Sequence, residues 1–176
     1  MVTIVPGSES WANQIARKYR PATWEALIGQ DKIKARIDYI RKRGLGGRTY
    51  LLSGSSGTGK TTIAYLIAEE IADPINVVEL DAGRLTEAKL AELESHCSTF
   101  GLGQKTGRVF IINEAHRMSA AAIGQLLTWS ESIPNHVAII LTTTTAGAEK
   151  IQEKEDGAAL KSRAIDLPLA RRGLAE

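Results

Sequence analysis

The sequence has almost no cysteine, since Cys97 is the only one in 176 residues. A single thiol cannot form a disulfide within the chain, and it cannot supply a four-cysteine zinc site. No apolar stretch approaches the roughly 20 residues that a membrane-spanning helix needs. The first residues also lack the basic-then-apolar pattern of a secretory signal peptide. We therefore expect a cytoplasmic protein without a disulfide framework and without a membrane partner.

The sequence also has little net charge, because 22 lysines and arginines stand against 20 aspartates and glutamates, for a formal charge of +2. So small an excess does not by itself argue for nucleic-acid binding. The length, the 43% hydrophobic content and the 24% charged content are ordinary for one soluble globular domain with a real core. Composition thus predicts a single domain and leaves its function open.

What the sequence does contain is a glycine-rich octapeptide, GSSGTGKT, at Gly54–Thr61. It fits G-x-x-x-x-G-K-[ST], the phosphate-binding loop (P-loop) of nucleoside triphosphatases. An apolar run at 49–53 predicts a strand before it, and helical spacing of apolar residues over 62–71 predicts a helix after it. A glycine-rich turn could match by chance, but strand and helix supply the context that the motif requires. The sequence therefore predicts a nucleotide-binding site.

Each part of this loop has an expected role. Glycines let the backbone aim its N–H groups at phosphate oxygens, and the helix N-terminus adds a partial positive charge. Lys60 is expected to reach the β- and γ-phosphates of ATP, and the Thr61 hydroxyl to ligate Mg²⁺. The residues predicted to bind the nucleotide here are Gly54, Ser55, Ser56, Gly57, Thr58, Gly59, Lys60, Thr61 and Thr62.

A segment with the basic and aromatic run RKYRP at 17–21, then Trp24 and the run LIGQ at 27–30, precedes the loop. Pro21 disfavours helix at the preceding residue, so we expect the segment to lie extended over another surface. There it could cover the core as an N-terminal arm. Alternatively, Tyr19, Pro21 and Ile28 could supply a flat apolar surface for an adenine ring.

A helix is predicted from Asp31, with three isoleucines at helical spacing, and it ends in the basic run 41–43 before Gly44. Cations in a last turn followed by glycine are an ordinary helix end. Contact with DNA phosphates is the alternative interpretation of that basic run.

Strand and helix patterns alternate along the rest of the chain. Strands are predicted at 76–81, 109–112, 137–141 and, more briefly, 165–167. Helices are predicted at 86–97, with Thr86 as N-cap, and from the N-cap Ser119 to Trp129. The segment 100–107 is predicted to be an exposed loop. Such alternation predicts an α/β fold with a parallel sheet and helices on both faces. Ligands of such sheets bind at the carboxyl ends of the strands.

Two polar residues end the apolar run at 109–112, where Mg²⁺ and the γ-phosphate are expected. P-loop enzymes usually place an aspartate first, to hold the metal. Here Asn113 takes that position, so it could bind a metal-bound water but contributes no charge. Glu114 follows as the candidate base for the attacking water. The alternative is that both residues merely begin a turn.

Threonines at 142–145 follow another apolar run. Strand propensity alone could explain them. They could also sense a γ-phosphate, because they end a predicted central strand.

The order and spacing of these motifs resemble the AAA+ ATPases, and within them the clamp-loader branch: bacterial DNA polymerase III tau/gamma subunits and the small subunits of replication factor C. The resemblance spans roughly residues 16 to 168. It is carried by RKYRP with IGQ at 28–30, GSSGTGKT at 54–61, NEAHRMS at 113–119, LTTT at 141–144 and SRA at 162–164.

This resemblance implies roles for single residues. Tyr19, Pro21 and Ile28 would flank the adenine, and a strand end centred on Thr144 would act as the γ-phosphate sensor. Arg163 matches the arginine finger, which in this family reaches the nucleotide of a neighbouring subunit. A guanidinium suits that role because it stays ionised and presents several donors. The alternative for Arg163 is a surface arginine before an edge strand.

The sequence also departs from the family pattern. Asn113 replaces the metal-site aspartate, Ala164 replaces a cysteine in Ser-Arg-Cys, and the four-cysteine zinc module of the bacterial subunits is missing. The chain stops where the small helical lid would begin. We therefore expect an N-terminal arm and adenine-contacting segment at 1–30, an AAA+ P-loop core with a five-stranded parallel sheet at 31–170, and only the start of a lid at 171–176.

By resemblance, the expected function is ATP binding and hydrolysis with Mg²⁺, within an oligomer that loads a sliding clamp on DNA during replication. Its partners would be other clamp-loader-type subunits and, by resemblance alone, the clamp, the polymerase and DNA. An isolated domain would be a weak ATPase because a neighbour supplies the finger. Two alternatives stay open: a nucleotide-binding interaction subunit that hydrolyses poorly, and an AAA+ helper in DNA recombination or repair.

Overall fold

The computed structural model describes residues 20–170. Their helices and strands follow one another as α1 (Asp31–Arg41), β1 (Arg48–Gly54), α2 (Lys60–Ile71), β2 (Val77–Asp81), α3 (Glu87–Ser95), β3 (Arg108–Asn113), α4 (Ala120–Glu131), β4 (Val137–Thr143), α5 (Thr145–Gln152), α6 (Gly157–Arg163) and β5 (Ile165–Leu169). Short 3-10 turns connect several of them.

The strands form one five-stranded sheet in the order β2-β3-β4-β1-β5, and every neighbouring pair is parallel. The predicted five-stranded parallel sheet is confirmed, with strand ends that differ from the predicted ones by one or two residues. Pro168 lies in the edge strand β5, where a missing N–H costs least. Because β1 lies between β4 and β5, its carboxyl end opens beside the ends of the central strands.

Helices cover both faces of the sheet, as predicted. Alternate residues of β1 point to opposite faces: Tyr50 and Leu52 belong to one core cluster, and Leu51 belongs to the other. The first cluster includes the buried sides of α1 and α2, whereas the second includes those of α3, α4, α5 and α6. The central strands are therefore buried on both sides, which explains why their sequences are continuous apolar runs.

Tyr50 offers a test of this core. Its side chain is fully buried, and its hydroxyl donates to the Leu45 carbonyl oxygen at 2.6 Å. Tyr50→Phe leaves that carbonyl without its partner, so we expect the free energy of unfolding to fall by about 1 to 2 kcal/mol. Urea denaturation measures this. The control is Tyr39→Phe, an exposed tyrosine on α1, which should change stability little. An equal loss in both variants would contradict the prediction.

Two predicted caps are present. The Thr86 hydroxyl accepts a hydrogen bond from the Lys89 N–H at 3.2 Å, and the Ser119 hydroxyl accepts one from the Ala122 N–H at 3.1 Å. The helix predicted from Asp31 ends at Arg41, one turn before Gly44, whose φ of 85° only glycine adopts readily. The helix ends are thus encoded locally.

The segment after Pro21 differs from its predicted extended form, because it bends and turns through residues 22–29. The Thr23 hydroxyl accepts from the Ala26 N–H at 3.3 Å, a local bond that favours a turn. The segment does lie over another surface, as expected. Leu27 is buried in the first core cluster, and the Trp24 indole donates to Glu70 of α2 at 2.6 Å. Residues 1–19, including Tyr19, and the predicted lid start at 171–176 lie outside the described residues.

Within residues 20–170, no helix is both long and apolar enough to cross a membrane.

Candidate nucleotide-binding site

The predicted P-loop connects the end of β1 to the start of α2. Gly57 and Gly59 have φ values of 78° and 93°, in the left-handed region that favours glycine. A Cβ on either glycine would point into open space, since it would meet no atom of residues 20–170 beyond its chain neighbours within 4 Å. Gly54 is needed for a different reason, because its Cβ would lie 2.7 Å from the Leu169 carbonyl oxygen. The loop is therefore tightly folded yet has free room beside it.

Helix α2 begins without a side-chain cap, because its N-cap residue is Gly59. By contrast, the helices α3, α4 and α5 are each capped by a hydroxyl, from Thr86, Ser119 and Thr144. The first-turn N–H groups of a helix have no partner within the helix, and together with its dipole they form an anion site. The N-terminus of α2, which carries Thr61 and Thr62, is thus suited to phosphate.

Lys60 is the first residue of α2, and its Nζ donates to the carbonyl oxygens of Gly54 at 2.8 Å and Ser55 at 2.9 Å. The Thr58 hydroxyl donates to the same Ser55 oxygen at 2.9 Å. Burial lowers the pKa of Lys60, and the charge of Glu114 opposes that shift. Lys60 and Glu114 therefore interact electrostatically, although one follows β1 and the other follows β3.

Glu114 directly follows β3 with φ 55° and ψ 45°, a left-handed conformation that is strained for a residue other than glycine. Such strain costs on the order of 1–3 kcal/mol and is found mostly at functional sites. One Glu114 carboxylate oxygen lies 3.5 Å from Nδ1 of His116, and the side chain is 45% exposed. The carboxylate is thus accessible to water at the carboxyl edge of the sheet.

Asn113 ends β3, and both ends of its amide are hydrogen-bonded. Its Nδ2 donates to Oε1 of Glu79 at 2.6 Å, and its Oδ1 accepts from the Thr142 hydroxyl at 2.8 Å. Sequence reasoning missed Glu79, which is one of three polar residues in the strand predicted at 76–81. The strand register, in which Glu79 pairs with Ile111, places it on the same face of the sheet as Asn113.

The threonines at the end of β4 have three different surroundings. Thr142 contacts Asn113, and the Thr143 hydroxyl lies 3.0 Å from Nδ1 of His116. The Thr144 hydroxyl accepts from the Gly147 N–H at 2.9 Å and so caps α5. Thr142 therefore touches the last residue of β3 and Thr143 touches a residue that follows β3, whereas Thr144, the predicted sensor, serves as a helix cap.

Three predicted residues have other surroundings. Pro21 precedes the turns described above, and the Ile28 side chain is 72% exposed. Nearby Gln30 joins this lead-in to the P-loop, because its Nε2 donates to the Thr58 carbonyl oxygen at 3.4 Å. Arg163 ends α6 and lies 2.8 Å from Glu131 of α4. The structure thus brings Lys60, Glu114 and Asn113 to one edge of the sheet with Thr142 and Thr143, and it places Arg163 with Glu131.

The chain matches the ATPase family associated with various cellular activities (AAA) over residues 50–159. The chain belongs to the AAA family. The match covers the P-loop, the segment around Asn113 and the β4 threonines, so it includes most of the AAA site described above.

Several curated relatives of this AAA domain are DNA polymerase III subunits. The gamma/tau subunit of Mycobacterium tuberculosis is 32% identical over 155 residues, which cover 73% of this chain and 26% of that protein. The gamma subunit of Buchnera aphidicola is 30% identical over 74% of this chain and 42% of that protein. The tau subunit of Escherichia coli is 29% identical over 74% of this chain and 24% of that protein. The clamp-loader resemblance is confirmed, although the chain spans less than half the length of these relatives.

Solved structures share the fold. A RuvB variant from Thermotoga maritima superposes with a TM-score of 0.65 at 23% identity, covering 88% of this chain and 50% of that one. A DNA polymerase III gamma subunit-related protein from the same organism gives a TM-score of 0.63 at 15% identity, covering 78% of this chain and 46% of that one. The predicted AAA+ P-loop fold is therefore confirmed.

Proposed function

We propose that this AAA domain binds ATP with Mg²⁺ and hydrolyses it, within an oligomer that loads a sliding clamp on DNA during replication. The observation that carries the ATP part is the N-terminus of α2, which has no side-chain cap, follows Gly57 and Gly59, and begins with Lys60. The similarity to DNA polymerase III gamma and tau subunits supports the replication part. Other clamp-loader-type subunits, the clamp, the polymerase and DNA are the partners that this proposal implies.

The residues at hand fit a magnesium–nucleotide complex. Mg²⁺ is usually bound through substrate phosphates, waters and one or two protein groups rather than by an all-protein cage. Accordingly, residues 20–170 contain no group of three or more histidine, cysteine or acidic side chains suited to a metal. Thr61 would ligate the ion and Asn113 would hold one of its waters. The bound ion would neutralise phosphate charge.

Glu114 would accept a proton from the attacking water, since its carboxylate is exposed at the edge where the γ-phosphate would lie. Lys60 would bind the β- and γ-phosphates by exchanging its present carbonyl partners for phosphate oxygens. Thr142 and Thr143 contact Asn113 and His116, so they are as well placed as Thr144 to respond to a γ-phosphate. Arg163 would act on a neighbouring subunit's nucleotide after leaving Glu131.

Calorimetry with ATP, with and without Mg²⁺, tests the proposal, followed by steady-state hydrolysis on the same sample. We expect Mg²⁺-dependent binding and slow turnover by the monomer. Arg163→Ala should leave the monomer rate unchanged but lower the rate of an assembled oligomer by ~10³-fold or more. If the monomer hydrolyses ATP briskly and Arg163→Ala leaves that rate unchanged, the result would contradict an arginine finger supplied by a neighbouring subunit. Absence of ATP binding would contradict the proposal as a whole.

Asn113 favours a second candidate, a subunit that binds nucleotide but hydrolyses it poorly. It brings no charge to the metal position, and its amide is already bonded at both ends. In that case ATP would shape an interface rather than drive a cycle. Undetectable hydrolysis in the assembled oligomer, together with tight MgATP binding, would favour this candidate.

A further inference from the structure

Four side chains from four different elements form one chain of hydrogen bonds that begins at the carboxyl edge of the sheet. The Thr142 hydroxyl of β4 donates to Oδ1 of Asn113 at 2.8 Å, and Nδ2 of Asn113 donates to Oε1 of Glu79 at 2.6 Å. The Tyr65 hydroxyl of α2 donates to the other Glu79 oxygen at 2.6 Å. The metal position on β3 is thus connected to a carboxylate on β2 and to the helix that follows the P-loop.

The chemistry of the partners fixes the orientation of the Asn113 amide. A carboxylate can only accept hydrogen bonds, so the amide nitrogen must face Glu79, and the amide oxygen must face Thr142. An amide oxygen has two lone pairs, of which the Thr142 hydroxyl takes one. Burial is the larger cause and the hydrogen bond to Glu79 the next of a rise in the pKa of Tyr65 to about 12, so its hydroxyl remains a donor at neutral pH. Glu79 is therefore held from two sides.

An aspartate at position 113 would not fit this arrangement. Its carboxylate would replace a donor that lies 2.6 Å from Oε1 of Glu79. Two carboxylates at that distance repel each other, and one of them must take up a proton or move away. Asparagine at position 113 is therefore complementary to glutamate at position 79, because its amide donates the hydrogen bond that the carboxylate accepts.

We propose that Glu79 is a positioning residue of the nucleotide site, which holds Asn113 so that the amide oxygen is the atom offered to a magnesium-bound water. This inference rests on the proposed ATP–Mg²⁺ function. Glu79 is exposed, so solvent screens its charge, and its main contribution is the orientation of the amide. Groups that orient a metal site in this way typically change metal affinity by about 10- to 100-fold when they are replaced.

Three variants of the whole chain test this pairing: Glu79→Gln, Asn113→Asp and the double variant. The readout is the Mg²⁺-dependent gain in ATP affinity, measured by calorimetry with Mg²⁺ and with chelator. We expect Glu79→Gln to lower the gain by about tenfold, because the glutamine amide no longer dictates which end of Asn113 faces it. Asn113→Asp alone should also lower the Mg²⁺-dependent gain in ATP affinity. The double variant should recover it, since the introduced glutamine can donate a hydrogen bond to the introduced aspartate.

The matched control is Asp81→Asn, two residues along the same strand, where the carboxylate contacts Arg117 rather than Asn113. It should leave the Mg²⁺-dependent gain unchanged. An unchanged gain in Glu79→Gln would overturn the inference, and so would an Asn113→Asp variant that performs as well as the double variant.

Thermal unfolding of the same variants separates this inference from the proposed function. If the wild-type chain binds no ATP, the proposed function fails, but the pairing can still be measured. A melting temperature that drops in Asn113→Asp and recovers in the double variant supports the pairing, because contacting residues are not additive. A double variant whose shift equals the sum of the two single-variant shifts overturns it.

Discussion

Replacing Glu114 with glutamine is expected to lower ATP hydrolysis by about 10²- to 10⁴-fold, the range for loss of a general base, while MgATP binding stays within a few-fold of wild type. Glutamine keeps the length and the polarity of the side chain but cannot accept a proton at neutral pH. The loss should therefore appear in the chemical step. Single-turnover hydrolysis with enzyme in excess measures that step even where the monomer is slow.

The control for Glu114→Gln is Glu149→Gln, which removes an exposed carboxylate from α5. It should hydrolyse ATP at the wild-type rate. If Glu114→Gln also keeps the wild-type rate, then Asn113 and Glu114 merely begin a turn, the alternative left open by the sequence. If MgATP binding falls as much as hydrolysis, Glu114 contributes to nucleotide binding rather than to the chemical step.

The left-handed backbone of Glu114 gives this prediction a second readout. Glycine adopts φ 55° without strain, so Glu114→Gly should be as inactive as Glu114→Gln yet more stable, by about 1 kcal/mol. Denaturant unfolding of both variants measures the difference. A Glu114→Gly variant that is less stable than Glu114→Gln would show that the conformation carries no strain.

The main strands could be predicted from sequence because they are buried on both faces. β1, β3 and β4 therefore read as continuous apolar runs, and the alternating elements between them imply parallel pairing. The helices α5 and α6 could not be predicted, because they are short and contain glycine, a poor helix former. The structure supplies the reason for these glycines. A Cβ on Gly147 would lie 2.2 Å from the Thr143 hydroxyl, and one on Gly157 would lie 1.7 Å from the Ile151 carbonyl oxygen.

Some parts of the candidate site follow from consecutive residues, whereas other parts depend on contacts between residues far apart in the sequence. The P-loop could be predicted because nine consecutive positions, 54–62, carry it. The contact between Asn113 and Glu79 joins positions 34 residues apart, so it depends on the order and register of the strands. Alternation along β4 does contain a usable signal. Thr142 shares a face with Ile140, which belongs to the same core cluster as α2, so alternation places Thr142 on the side of the sheet that Asn113 faces.

Lys60→Met is expected to weaken ATP binding by about 10- to 100-fold, because a hydrogen bond to a charged group is worth roughly 1.5–3 kcal/mol. Hydrolysis should fall further, since the same ammonium would stabilise the charge that develops on the transferred phosphoryl group. Methionine keeps a long unbranched side chain at the first position of α2. The variant should therefore fold normally, which thermal unfolding without nucleotide checks.

Two comparisons isolate the phosphate contact of Lys60. Lys150→Met removes an exposed lysine from α5 and should bind ATP as the wild type does. AMP lacks the β- and γ-phosphates, so Lys60→Met should leave AMP affinity nearly unchanged while it lowers ATP affinity. Equal losses for both nucleotides would mean that Lys60 supports the fold of the loop rather than the phosphates. Its Nζ donates to the carbonyl oxygens of Gly54 and Ser55, so that outcome would assign its function to these two bonds.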